Sequence, residues 1–451
     1  MALGRISVVG IGKLGLCAAA CFASKGYQVF GVDINQDTIA AVNEGKAPIY
    51  EPMLAGLMNK CHKNLSAGDD YKYAIENSEI TFIIVPTPSQ EDGSFSTKYV
   101  VASIIQIAAN LKNLGRFHTV VLTSTVLPGV TDDVVKQALE KISGKKCGKD
   151  FGLCYSPEFI ALGSVIRDFI NPDMILIGES DPKSGELLAE VYQHVCENNP
   201  PIVRTAIRNA ELAKISLNAF ITMKITFANT IAEICEQIPG GDADAISNAL
   251  GFDSRIGRKY LSGGLAYGGP CFPRDNKAFA FFAHQTGCQA KLSITTDEVN
   301  QGQNGRIVSL IEQELEGVNN KNIAILGLTY KPNTDVVEES AAIKIAVVLR
   351  QKGARLAVYD PAGIENAKLD LRDYHYRKGI KYASSIEECL KDADLCILAT
   401  PWDKFNDLKP EDFTTRMKSP VLIDCWRMFN YSEFSEKLKY IAIGVGNKDE
   451  V

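Results

Sequence analysis

The stretch "RISVVGIGKLG", residues 5–15, decides the fold. "RISVVG" reads as a buried strand, and Gly10, Gly12 and Gly15 fall on the G-x-G-x-x-G spacing. An Ala-rich helix is expected from about Leu14 to Lys25, followed by the strand "YQVFGVD", residues 27–33, which ends on Asp33. That order makes one βαβ unit. Its glycines have separate tasks: a tight turn, an approach of bare backbone to a pyrophosphate, and close packing of helix on strand. Lys13 and Leu14 complete the loop where the helix N-terminus attracts phosphate. Asp33 is placed to accept both ribose hydroxyls of an adenosine and to repel a 2′-phosphate. Ile34 and Asn35 follow it, and neither is basic. The expected cofactor is therefore NAD rather than NADP. A glycine turn can also join strand to helix for packing alone, but here strand, helix and acid all fall where a dinucleotide needs them.

Moving outward, "EITFIIVPTP" and "HTVVLTSTV" read as further strands, separated by the helical pattern "VVASIIQIAANL". The sheet is expected to be parallel and doubly wound. The same order returns late in the chain as "KNIAILGL", a helix from about Ser340 to Lys352, "ARLAVYD", "ADLCILATPW" and "SPVLIDCWR". Even a Thr-Pro pair repeats, at Thr87-Pro88 and Thr400-Pro401. The second copy replaces the glycine fingerprint with "GLTYKPNTD", whose Lys331 suits a different phosphorylated ligand, although alone it reads as a solvated loop lysine. Between the copies, residues 210–238 have helical periodicity and no Gly or Pro. The fold class expected is α/β, with two Rossmann-like doubly wound parallel-sheet domains joined by a long central helix. The boundaries expected are 1–200, 201–300 and 301–451.

Composition narrows the function classes. The formal charge of −6 is mixed along the chain and gives no basic stripe for nucleic acid. The longest apolar runs are far short of the roughly eighteen residues of a membrane span. Twelve cysteines without a C-x-x-C pair, and no signal-peptide pattern, point to a reducing cytosol. The final "KDEV" reads as a solvated tail. His62, His118, His194, His284 and His375 are too dispersed for a metal site, and Cys17 and Cys21 share a helical face suited to packing on the first sheet. No metal is expected.

One cysteine stands apart, in "YGGPCFPRD", residues 267–275. A nicotinamide enzyme can take one hydride from an alcohol with only a base, and the product is an aldehyde. A thiol adding to that aldehyde gives a thiohemiacetal, whose oxidation leaves a thioester that water opens to an acid. Cys271 in a glycine-framed loop suits the nucleophile, and Asp275 suits a base or a group that orients water. Alone, Cys271 would read as a small buried hydrophobe.

With its neighbours, this loop resembles the G-F/Y-G-G-S-C-F-P-K-D segment of the UDP-glucose/GDP-mannose dehydrogenase family, and the resemblance extends over essentially the whole chain. It implies oxidation of the C6 hydroxymethyl of a nucleotide sugar to a carboxylate with two NAD. "AELAKISLNAF" is similar to the family helix whose lysine and asparagine, here Lys214 and Asn218, face one way and stabilise the developing oxyanion. "SPEFIALGSVIRDF" resembles the segment whose glutamate, here Glu158, activates water for thioester hydrolysis. "TSTVLPGVT" resembles the segment that brings a threonine, here Thr125, to the nicotinamide. "IYEP" and "VPTP" are landmarks of the cofactor domain, and the latter adds Thr87 to the cofactor contacts. "DSRIG" matches the stretch whose arginine, here Arg255, reaches a neighbouring subunit's sugar site. "GLTYKPNTD" and "DCWR" nominate Lys331 and Arg427 for the nucleoside diphosphate. Phe159, Tyr260 and Gly268 join the implied substrate contacts. By the same resemblance, 1–200 is the NAD-binding domain, 201–300 the helical linker and 301–451 the nucleotide-sugar domain; the long helical stretch of 210–238 suits pairing with its copy, which makes 201–300 also the dimerisation region of a homodimer or higher even homo-oligomer.

The departures also matter. Ala266, Pro270 and Arg274 replace the family's Gly, Ser and Lys, Leu162 stands where a second glutamate is common, and Glu338 occupies a position where an arginine is expected. "PEF" at 157–159 resembles members acting on glucose or mannose, which favours UDP-glucose. GDP-mannose, a dTDP-sugar or a UDP-N-acetylhexosamine stays open. So do a two-electron NAD dehydrogenase, which leaves Cys271 and Glu158 without work, and a non-catalytic NAD-binding sensor.

Overall fold

The computed structural model describes residues 4–371 and 378–446, so His375 and the terminal "KDEV" lie outside the described residues. The chain forms two compact units, Met1–Leu217 and Asn218–Val451.

The first unit is built on eight strands: β1 (Arg5–Val9), β2 (Gln28–Val32), β3 (Leu65–Gly68), β4 (Ile80–Ile83), β5 (Thr119–Leu122), β6 (Gly152–Tyr155), β7 (Ile175–Glu179) and β8 (Ile202–Ala206). Their order is β3-β2-β1-β4-β5-β6-β7-β8. Every residue of β4, β5 and β6 is buried, as expected of strands covered by helices on both faces. Each fully buried Val, Leu or Ile there contributes about 1.5–3 kcal/mol relative to exposure. The first helix is Lys13–Ser24, and its run from Gly15 to Ala23 is buried. Cys17 and Cys21 lie in that run, and burial pushes both thiol pKa values up, so they act as small apolar side chains.

The sheet is not parallel throughout. β6 and β7 run antiparallel, with Cys154 opposite Glu179 and Tyr155 opposite Gly178. The 19 residues between them (156–174) contain one short helix, Val165–Ile170, and return along the sheet instead of crossing over it. The helix Pro182–Val195 then restores a parallel crossover to β8.

The helix Ile207–Glu236 carries the chain from the first unit into the second, close to the expected 210–238. The second unit continues with the helices Ala243–Gly251, Phe272–Gln285 and Lys291–Leu315. Its six strands are β9 (Asn322–Leu326), β10 (Arg355–Tyr359), β11 (Ile380–Tyr382), β12 (Leu395–Leu398), β13 (Val421–Asp424) and β14 (Lys439–Ala442). They are parallel in the order β11-β10-β9-β12-β13-β14, and the helix Ala341–Gln351 lies between β9 and β10 in the chain.

The repeat seen in the sequence extends to individual hydrogen bonds. Gly10 N donates to Val32 O at 2.8 Å, as Gly327 N does to Tyr359 O. Ile11 N donates to Asp33 Oδ2 at 2.9 Å, and Leu328 N to Asp360 Oδ2 at 2.7 Å. Among the described residues, no helix is long and apolar enough to cross a membrane.

Candidate active site

In the first unit the strand order reverses between β1 and β4, and open α/β sheets bind ligands in the crevice at such a point. Gly10 has φ +87°, and a Cβ there would meet Ile84 O at 2.4 Å. A Cβ on Gly15 would meet Gly10 O at 1.8 Å, which sets how closely helix packs on strand. Gly12, the residue before the first helix, is exposed and has open space where a side chain would be, so its backbone is accessible to a phosphate. Lys13 and Leu14 are half-buried as the helix begins. Asp33 accepts one backbone N–H on each oxygen, from Ile11 at 2.9 Å and Asn35 at 2.9 Å, which leaves a lone-pair direction on each for a ribose. These residues fit NAD, with Asp33 on the adenosine ribose.

Side chains remote in sequence fix the loops after β4, β5 and β6. Thr87 Oγ1 donates to Thr125 O at 2.8 Å, and Ser124 Oγ bridges Val85 N and Val85 O at 2.9 and 2.7 Å. The far end of the Thr125 loop is held by buried Glu211, which accepts from Gly129 N at 2.6 Å and Thr131 N at 2.9 Å. The Glu158 loop is gripped at both ends. Lys214 Nζ donates to Glu158 O at 2.7 Å and lies 5.1 Å from the centre of the half-buried Phe159 ring. Glu51 accepts from Gly163 N at 3.0 Å and Val165 N at 2.9 Å. Tyr192 donates to Glu158 Oε1 at 3.2 Å. Burial pushes the Glu158 carboxyl up to about 7, against the opposing pull of Tyr192 and Lys214. A carboxylate poised there accepts a proton from water near neutrality.

In the second unit Cys271 is exposed and immediately precedes the 14-residue helix Phe272–Gln285. A thiolate is favoured at such a helix end. Buried Asp275 uses both oxygens: Oδ2 accepts from Asn218 Nδ2 at 2.6 Å, and Oδ1 accepts from Arg274 Nε at 2.9 Å. Burial opposes charge on Arg274, but Asp275 and Cys271 together hold its guanidinium pKa above the ordinary value. Asp275 therefore orients Asn218, which keeps a second amide proton, and holds a cation beside the sulfur. The cysteine loop leans on the segment after β9. A Cβ on Gly268 would meet Glu339 O at 2.1 Å, and one on Gly269 would meet the Tyr330 ring at 2.6 Å. Lys331, half-buried, lies 5.8 Å from that ring's centre. Tyr260 is exposed at φ +65° and packs edge-on against Phe272.

Two arginines are already paired with carboxylates. Arg255, 87% exposed, forms a fork with Asp253 at 3.0 and 2.6 Å. Arg427, half-buried with its side chain 8% exposed, donates to Asp244 at 2.7 and 3.2 Å, Ile443 O at 2.6 Å and Gly263 O at 2.9 Å, so all but one of its N–H groups are engaged. Glu51, Glu211 and Tyr192 had no assigned role in the sequence reading. Glu51 sits in the quoted "IYEP" and Glu211 three residues before Lys214, which was the available signal. Tyr192 sits in an ordinary amphipathic helix and had none.

The sequence matches one family in three consecutive segments: residues 4–196 its NAD binding domain, 208–302 its central domain and 324–431 its UDP binding domain. The chain belongs to the UDP-glucose/GDP-mannose dehydrogenase family. It is thus an NAD-dependent nucleotide-sugar dehydrogenase. It is 36% identical to the UDP-glucose 6-dehydrogenase AglM of Haloferax volcanii over 95% of this chain and 98% of that one. It is also 36% identical to a UDP-glucose 6-dehydrogenase of Rhizobium meliloti, over 98% and 99%. A UDP-glucose dehydrogenase structure from Pyrobaculum islandicum matches with a TM-score of 0.88 and 32% identity, covering 98% of both chains.

Proposed function

We propose that this protein oxidises the C6 hydroxymethyl of UDP-glucose to the carboxylate of UDP-glucuronate, with Cys271 as covalent nucleophile. NAD, when bound, supplies the hydride acceptor, twice per turnover. One alcohol, two NAD and one water give one carboxylate, two NADH and three protons. The Cys271 sulfur bonds to C6 of the aldehyde, forming a thiohemiacetal, and after the second oxidation it is the leaving group of a thioester. Lys214 and Asn218 donate to the oxygen on C6 as it gains charge, and Thr125 orients the reacting hydroxyl. Glu158 takes a proton from the water that attacks the thioester, and the Cys271 thiolate departs. Phe159, Tyr260 and Gly268 line the sugar, while Lys331 and Arg427 bind the diphosphate. Arg427 reaches it only with its remaining N–H or by exchanging a present partner.

The observation that carries this reading is the exposed Cys271 at the start of a long helix, with the Arg274 and Asp275 pair beside it. UDP-glucose is favoured by the match to a UDP binding domain and by the names of the relatives. The test is a panel of UDP-glucose, GDP-mannose, a dTDP-sugar and UDP-N-acetylhexosamines, ranked by kcat/KM with NADH counted per sugar. The expected leader is UDP-glucose with a ratio of two. A ratio of one removes the covalent mechanism, and a tenfold lead for another sugar removes UDP-glucose.

The working assembly is a homodimer or an even multiple of one, in the cytosol. Phe220, Phe227 and Ile234, at 59, 51 and 50% exposure, repeat every seven residues on the helix Ile207–Glu236 and form an apolar stripe suited to a second copy. Arg255 is donated across that assembly to the neighbouring sugar site. A monomer by light scattering at assay concentration, or Phe227→Asp leaving the mass unchanged, removes this reading.

A further inference from the structure

We infer that Tyr192 is a positioning residue that aims the Glu158 carboxylate and keeps it ready to receive a proton from water. The inference deepens the hydrolytic role of Glu158 proposed above and rests on it. Tyr192 is held in the helix Pro182–Val195, fully buried, with the rings of Phe82 and Phe169 each 6.5 Å away. Those walls fix the ring and leave the hydroxyl to choose its partners. Glu158 Oε1 lies 3.2 Å from it, and Ser156 Oγ lies 3.1 Å away on the other side. Ser156 Oγ is also 3.2 Å from Leu176 O. A phenol and a serine hydroxyl have one proton each, so when Tyr192 donates to Glu158 its oxygen accepts from Ser156, which then gives up Leu176 O, and the chain of donors points outward at the carboxylate.

The remaining groups around Glu158 do not replace this contact. Lys214 attracts the carboxylate through its charge, and the hydrogen bond its Nζ makes to Glu158 goes to the carbonyl oxygen rather than to Oε1. Cys21 and Cys196 also feel Glu158, and burial pushes both thiols up, Cys196 to about 11, so they stay neutral. Burial and the facing carboxylate likewise push the Tyr192 phenol well above its ordinary value, so it remains a donor over the working pH range. A hydrogen bond to the charged form of an acid favours that form, so the hydroxyl offsets part of the cost of burying Glu158.

The test is Tyr192→Phe, which keeps the ring and removes only the hydroxyl, with Ser156→Ala as a variant that does not touch Glu158. The Glu158 carboxyl band, identified by its loss in Glu158→Gln, is titrated by difference infrared spectroscopy. Thioester hydrolysis is followed by single turnover across the same pH range. In Tyr192→Phe both midpoints are expected to rise by about one pH unit, which makes hydrolysis roughly tenfold slower at pH 6. The first hydride transfer and NAD affinity stay as in the wild type, and Ser156→Ala moves the midpoints less. An unmoved infrared midpoint overturns the inference. An infrared midpoint that moves while Glu158→Gln hydrolyses thioester normally leaves the contact standing but removes Glu158 as the base, and with it the catalytic role of Tyr192.

Discussion

Asn218 Nδ2 lies 2.6 Å from Asp275 Oδ2, both side chains buried, while Arg274 binds the other oxygen of the same carboxylate. Removing that charge takes from the largely buried Arg274 guanidinium the carboxylate it is paired with. Asp275→Asn is expected to lose about 3 kcal/mol of stability in urea unfolding, together with most turnover. Wild-type stability in that variant would show that the Arg274–Asp275 ion pair adds nothing to folding.

Cys271→Ser is expected to stop at the aldehyde level or to accumulate an ester that water opens slowly, because an alkoxide is a poorer leaving group than a thiolate. Rapid quench and mass spectrometry of the protein report the adduct. Undiminished acid output from the serine variant removes the covalent step.

The Glu158 carboxyl, held near 7, sets a pH limb. The carboxylate is the active form, so hydrolysis is expected to rise with pH through about 7, with roughly a tenth of the sites ionised at pH 6. Glu158→Gln loses this limb and slows release of the acid more than the first hydride transfer. The folding consequence has the opposite sense. The folded value lies above the ordinary 4.5, so the unfolded chain ionises first, and this group's contribution to stability falls as pH rises from about 4.5 to about 7. Urea midpoints of wild type and Glu158→Gln should therefore converge at low pH and differ above 7, with the wild type disfavoured.

Asp33 is expected to make NAD far better than NADP in kcat/KM, and Asp33→Ala to narrow the gap mainly by weakening NAD. Equal use of the two cofactors by the wild type would refute the assignment.

Most of the architecture was legible because it rests on short-range signals. The fully buried strands are apolar runs, and the first helix follows its glycines within one residue of the expected start. The direction of β7 was not legible, since a buried strand reads the same either way and the connection decides. Cys271, Asp275 and Glu158 were visible as motif positions. The partners of Glu158 and Arg427 were not. Tyr192 is 34 residues from Glu158 and Asp244 is 183 from Arg427, and a polar residue on a helix gives no local sign of a distant partner. His118 illustrates the converse: set aside as a metal ligand because it stands alone in the sequence, it is buried between Thr81 Oγ1 and Ser78 O, and burial drives its pKa down to about 3.

Asp360 occupies in the second sheet the place that Asp33 has in the first, yet its surroundings complete it. It accepts from Leu328 N, Thr329 N, Thr329 Oγ1 and Trp402 Nε1 on one oxygen, and from Ala362 N and Gly363 N on the other. A carboxylate so saturated can staple a loop but has no vacancy to offer a sugar. Two halves with the same topology have therefore parted in vocation: one keeps an unfinished coordination shell that a visitor must fill, and the other is complete before any visitor arrives. Grafting dinucleotide affinity onto the second half would require dismantling that shell, beginning with Trp402 and Thr329, before any glycine fingerprint could matter.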